Sequence, residues 1–159
     1  MLPYIFPRPG AGRVAVSSEV MAFFERHRQM GTEDREAGGI LLGRMIIDSQ
    51  DVVVDSAVEP GPRDLRKRFR FVRRAKPAQA IVTAAWHASR GAINYLGEWH
   101  THPEDVPSPS PIDLDNWCRI AATARFEQDF LLFVIVGRTS TRLWELGRPS
   151  MTIAPLKQG

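Results

Sequence analysis

The chain has 159 residues and a mass of 17.9 kDa, a length that suits one domain with its own hydrophobic core. Apolar residues make up 43% and charged residues 25%, which excludes a disordered or collagen-like chain, and no run of about 20 apolar residues could span a membrane. A single cysteine, Cys118, excludes an internal disulfide and fits the reducing cytoplasm, while the net charge is +3.

In chain order, Met1 to Gly10 holds three prolines and lacks the apolar stretch of a signal peptide, so residues 1–12 read as an N-terminal arm of a single domain over 1–159. Val14–Val16 reads as a short strand. Ser17 or Ser18 caps a helix to about Gln29, with Val20, Phe23, Phe24 and His27 at helical spacing. Ala37–Asp48 and Val52–Val58 are β-branched and apolar around the turn Asp48-Ser-Gln-Asp51, which predicts paired strands. Glu59-Pro-Gly-Pro62 then opens a basic segment. Between Arg63 and Lys76 eight basic residues face one acid, Asp64, leaving the rest of the chain mildly acidic. Phe69–Val72 reads as a strand whose phenylalanines face a core while Arg70 meets solvent. The segment is solvated surface, a dock for an acidic protein or, least in keeping with its pattern, a nucleic-acid surface.

Pro77 fits the first turn of a helix to about Ser89, with Ala80, Ile81, Ala84, Ala85 and Ala88 as its apolar stripe and His87 near its C-terminal end. Ile93–His102 predicts a strand, Pro103–Pro111 a stiff loop, and Ser110-Pro-Ile-Asp113 the start of a helix to about Arg125. Phe130–Val136 and Thr141–Leu146 read as paired strands, and Met151–Leu156 as an edge. The mixture is an α/β (α+β) layered domain.

The chemistry concentrates at the end of the Ile93–His102 strand. Residues two apart on a strand share a face, so His100 and His102 present their rings together. Zinc prefers four tetrahedral ligands, and Asp113 can return from the next helix as a third, leaving one position for water. Such a water has a pKa lowered to about 7. Hydrolysis then needs a carboxylate to carry its proton to the leaving amine. Glu98 shares the face of both histidines and could be a fourth ligand or the base. Glu104 and Asp105 read as loop solvation, Trp99 and Trp117 as packing, Cys118 as buried and inert, and His27 as a boundary residue.

His100-Thr-His102, seven residues, Ser110, two residues and Asp113 resembles the signature of the JAMM (MPN-plus, JAB-type) zinc metalloproteases. Their upstream glutamate, at the start of a strand of small and apolar residues, is matched by Glu36-Ala-Gly-Gly-Ile-Leu-Leu-Gly43. The resemblance runs from about Val14 to Leu146. It implies an MPN fold, with a mixed central sheet flanked by helices, and one zinc per chain held by His100, His102 and Asp113. It also implies Glu36 as general base and then acid, and Ser110 as the residue that orients the site and stabilises the oxyanion.

Tyr95–Glu104, Pro107–Pro111 and Asp115-Asn-Trp117 further resemble the small stand-alone bacterial members encoded with E1- and E2-like enzymes in antiphage operons, of CBASS or Bil type. That likeness implies a cytoplasmic, deubiquitinase-like isopeptidase that cuts the amide between the C-terminus of a ubiquitin-like or other conjugated protein and its target. The alternative is a protein-binding module of MPN fold with a structural zinc and a basic docking segment at 63–76. A metallo-β-lactamase is excluded, because Glu104-Asp105 stands where its Asp-His pair belongs.

Overall fold

The computed structural model describes residues 2–159 and has ten strands and three helices. In chain order these are β1 (Tyr4–Pro7), β2 (Arg13–Val16), α1 (Ser18–Arg26), β3 (Gly38–Met45), β4 (Val52–Ala57), β5 (Leu65–Lys67), β6 (Arg70–Val72), α2 (Ala75–Ala88), β7 (Asn94–Thr101), α3 (Pro111–Thr123), β8 (Phe130–Val136), β9 (Thr141–Gly147) and β10 (Thr152–Leu156). Eight strands form one sheet in the order β1-β2-β4-β3-β7-β8-β9-β10, while β5 and β6 form a separate hairpin. The sheet is mixed, since β2–β4 and β7–β8 are parallel and the other neighbours antiparallel.

β8 shows how the layers arise. All seven of its residues are buried. Phe130, Leu132, Val134 and Val136 enter one core with α1, while Leu131, Phe133 and Ile135 enter a second core with α3. A strand buried on both faces loses the polar alternation of an edge and reads as an apolar run. Truncating one of its larger residues, Phe133→Ala for instance, costs about 3–5 kcal/mol through lost transfer energy and the cavity left behind. Among the described residues no helix is long and apolar enough to cross a membrane.

Several local expectations shift. Met1, the first residue of the expected arm, lies outside the described residues; Tyr4–Pro7 pairs with β2 at the sheet edge. α1 ends at Arg26 rather than near Gln29 because His27 caps it, its ring Nδ1 2.8 Å from Phe23 O. α2 turns Ala78, Val82 and Ala85 toward the core, so of the predicted stripe only Ala85 packs there; Ile81 stays exposed. Phe69 does not face a core. It sits 75% exposed at the hairpin tip, while Phe71 is half-buried and touches the space beside Gly38.

Candidate active site

β7 carries the site through a bulge. Leu41 pairs with Gly97 but Leu42 pairs with Tyr95, so Leu96 is the extra residue on β7. Gly97 has φ +147°, and a Cβ there would meet Leu132 O at 1.7 Å, so only glycine permits the close approach to β8. The bulge breaks simple alternation. Leu96 joins the α1 core with Trp99, while Tyr95, Glu98, His100 and His102 line one groove over the other face.

α3 brings the third group. Ser110 is its N-cap and Pro111 its first residue, the position where proline's missing N–H costs nothing. Ser110 Oγ accepts from Asp113 N at 3.1 Å, and Ser110 N donates to Asp113 Oδ2 at 2.8 Å. This reciprocal capping box aims the Asp113 carboxylate back at β7. The helix start is thus part of the site.

The three side chains converge. His100 Nε2 and His102 Nε2 are 3.0 Å apart, His100 Nε2 is 3.2 Å from Asp113 Oδ1, and His102 Nε2 is 3.1 Å from Asp113 Oδ2. Zinc bonds of about 2.0–2.1 Å in a tetrahedron separate ligand atoms by about 3.3 Å. The residues present therefore fit zinc: two imidazole nitrogens and a carboxylate span one triangular face of that tetrahedron. Burial alone would raise the Asp113 carboxyl. Hydrogen bonds from His100, His102 and the Ser110 amide outweigh it and hold Asp113 well below the usual carboxylate range.

Glu104 does more than solvate a loop. Its Oε1 lies 2.8 Å from His102 Nδ1. With Nδ1–H donating to this carboxylate, Nε2 keeps its lone pair for the site, an arrangement that orients a metal-binding imidazole. The loop is itself pinned, since Glu104 O accepts from Arg138 N and Asp105 O from Thr139 N and Ser140 N. Burial lowers the His102 pKa, but Asp113 first and Glu104 next raise it, with a net upward shift.

Glu36 precedes β3 and is 5% exposed. Among the described residues no hydrogen bond reaches its carboxylate. Desolvation dominates, offset in part by His102 and reinforced by Asp113, so its pKa is raised to about 8. A carboxylate poised near neutrality is suited to take and return a proton. Glu98, by contrast, is occupied. Arg73 Nε and Nη2 bind its two oxygens at 2.8 and 2.7 Å, and Tyr95 Oη donates to it at 2.5 Å. That leaves it a poor fourth ligand or base.

All five signature residues line a groove of about 970 Å³ bounded by β7, α2, α3 and the β5–β6 hairpin. Trp117 packs beside it, stacked on Phe133, whereas Trp99 points into the opposite core with its Nε1–H on Val58 O. Cys118 is half-buried. His27 packs edge-on against Trp99 and His87 lies in the last turn of α2, both away from the cluster.

The sequence profile described as prokaryotic homologs of the JAB domain matches residues 19–147. The chain belongs to this family. Among its relatives, a Pseudomonas aeruginosa protein named CD-NTase/cGAS isopeptidase is 41% identical over 124 residues, covering 78% of this chain and 77% of its own. A Vibrio cholerae protein of the same name is 36% identical over 140 residues, covering 88% and 86%. A solution structure of a Desulfitobacterium hafniense protein has a TM-score of 0.56 over 92% of this chain and 89% of that one, at 18% identity, and so shares the fold.

Proposed function

We propose that this JAB-family chain is a zinc-dependent isopeptidase that releases a conjugated protein from its target by cutting the amide at the conjugate's C-terminus. The observation that carries the reading is the meeting of the buried Glu36 carboxyl with the His100–His102–Asp113 triangle in one groove. The names of the relatives, CD-NTase/cGAS isopeptidase, point to a CD-NTase protein as the conjugate. A ubiquitin-like protein delivered by E1- and E2-like enzymes remains the other member of the same substrate class. The cytoplasm, where Cys118 stays reduced, is the proposed place of action.

His100 and His102 through Nε2, and Asp113 through its carboxylate, would hold one zinc. When bound, zinc polarises the scissile carbonyl and makes water acidic enough to attack at neutral pH. Glu36 takes the proton of the attacking water and returns it to the leaving lysine nitrogen, so that the amine departs neutral. Ser110 Oγ accepts from the Asp113 amide and has its own proton free to donate to the carbonyl oxygen as negative charge develops there. Glu104 fixes the ring of His102. The groove, partly apolar and bordered by strands, suits an extended C-terminal tail, and the basic hairpin beside it suits an acidic face of the conjugate.

A module with only a structural zinc is less well supported: it gives no role to the Glu36 carboxyl, which is buried without a hydrogen-bond partner among the described residues. The test is a purified conjugate of a CD-NTase C-terminus to a lysine-bearing protein. Zinc-loaded wild type should release it and Glu36→Ala should not. Equal cleavage by the two would overturn the mechanism, and binding without cleavage by wild type would favour the module.

A further inference from the structure

The main chain of Glu36 is held by the basic hairpin rather than by its own strand. Glu36 N donates to Lys67 O at 2.7 Å, and Arg66 Nε donates to Glu36 O at 2.8 Å. The next residue is tied to the histidine strand: Thr101 N donates to Ala37 O at 2.9 Å, and Ala37 N to Thr101 Oγ1 at 3.0 Å. Gln29, 1% exposed, closes the circuit. It accepts from Thr101 Oγ1 at 2.7 Å and donates to Arg68 O at 2.8 Å. Arg68 in turn donates to Gly31 O and Thr32 O. Hairpin, the Glu36 main chain and the His100–His102 strand are joined by one continuous chain of hydrogen bonds, buried at Thr101 and part-buried at Arg66 and Gln29, and such networks favour a single arrangement because breaking a buried member strands its partner.

We propose that Arg66 is a positioning residue for Glu36, so that the β5–β6 hairpin governs turnover and not only affinity for the conjugate. The inference rests on the reading of Glu36 as the general base. It separates Arg66 from its basic neighbours: Arg63 and Arg70 are exposed, while the Arg66 guanidinium is half-buried on the carbonyl of the residue that carries the acid. A displacement of the base of about 1 Å is enough to cost on the order of 100-fold in rate. Contact of the conjugate with the hairpin is thereby linked to placement of the base.

Two measurements test this. In steady-state cleavage, Arg66→Met should lower kcat at least tenfold with KM within about twofold of wild type, at unchanged zinc content, and Arg66→Lys should restore part of kcat. A raised KM at unchanged kcat would overturn the proposal, since it would make Arg66 a docking residue. Amide exchange in the wild type needs no activity and no variant. The Glu36 amide should open together with the Lys67–Arg70 cross-strand amides of the hairpin. Free exchange of the hairpin while Glu36 stays protected would overturn the proposal even if cleavage is observed. Absence of cleavage by wild type would instead overturn the isopeptidase reading and leave the exchange result to judge the coupling.

Discussion

Glu36 lies across the β3–β7 ladder from His102, two steps beyond the Gly38–His100 pair, with the Thr101–Ala37 hydrogen bond between them. Glu36 and the His102 imidazole therefore sit on the same face of adjacent strands although 66 positions separate them. Gly38 lies on this path. A Cβ there would meet the Phe71 ring at 2.5 Å and Trp99 O at 2.8 Å, so a larger residue would push the hairpin and the acid apart.

Glu36→Gln keeps the shape of the side chain and removes its proton chemistry. Cleavage should fall by about 10²–10⁴-fold, the usual contribution of general acid–base catalysis. Zinc content, read by elemental analysis, should stay at one per chain. Loss of zinc would make Glu36 a ligand instead.

The same variant should change the pH dependence of stability in metal-free protein. Glu36 binds its proton more tightly folded (about 8) than at its ordinary value of 4.5. Between those values the unfolded chain ionises Glu36 while the folded chain keeps it neutral, so this group's stabilisation is full below about 4.5 and lost as pH rises toward 8. Denaturant melts should show Glu36→Gln gaining on wild type as pH rises, by at most about 1.4 kcal/mol per pH unit. A constant difference would show that the acid is not desolvated. Asp113 acts oppositely: its stabilisation is present above its ordinary value of 3.8 and disappears as pH falls below it.

Glu104→Ala should weaken zinc binding about 10–100-fold in chelator competition, the usual cost of removing the carboxylate behind a ligand histidine. The Glu104 side chain is 47% exposed, so the melting temperature without metal should move little. Unchanged affinity would return Glu104 to a solvation role.

Ser110 joins two duties that can be separated. Ser110→Ala removes the cap and should cost about 1 kcal/mol of stability, whereas Ser110→Gly should cost only a few tenths. If the hydroxyl also serves the oxyanion, kcat should fall about 10²–10³-fold in both. A loss of kcat that follows stability would confine Ser110 to capping.

Much of this site was legible in the chain alone because its parts are local. His100 and His102 share a face by the two-residue period, and Ser110-Pro-Ile-Asp113 builds a helix start with its own short-range hydrogen bonds. The family signature added Glu36, which no local pattern marks as an acid beside His102. The apolar run of β8 likewise announced a strand, which the fold buries on both faces.

Other features depend on contacts between distant segments. The bulge at Leu96-Gly97 alters which residues share a face, and so lets Tyr95 reach Glu98. Glu98 looks like a rival ligand until Arg73, 25 positions away, engages both its oxygens. Glu104 looks like loop solvent until the return of Arg138 and Thr139 pins its backbone beside His102. The basic segment, one feature of charge in the sequence, divides in the fold between exposed arginines such as Arg63 and Arg70 and engaged ones: Arg66 on the Glu36 carbonyl, Arg68 on Gly31 O and Thr32 O, and Arg73 on Glu98. By itself the sequence determined the convergence of two histidines and a carboxylate, their spacing and the helix that aims Asp113, because periodicity and capping act over a few residues. Tertiary structure alone decided which charges are occupied, which carboxylate is desolvated and what holds the acid in place, because hydrogen bonding and burial depend on what the rest of the chain brings alongside.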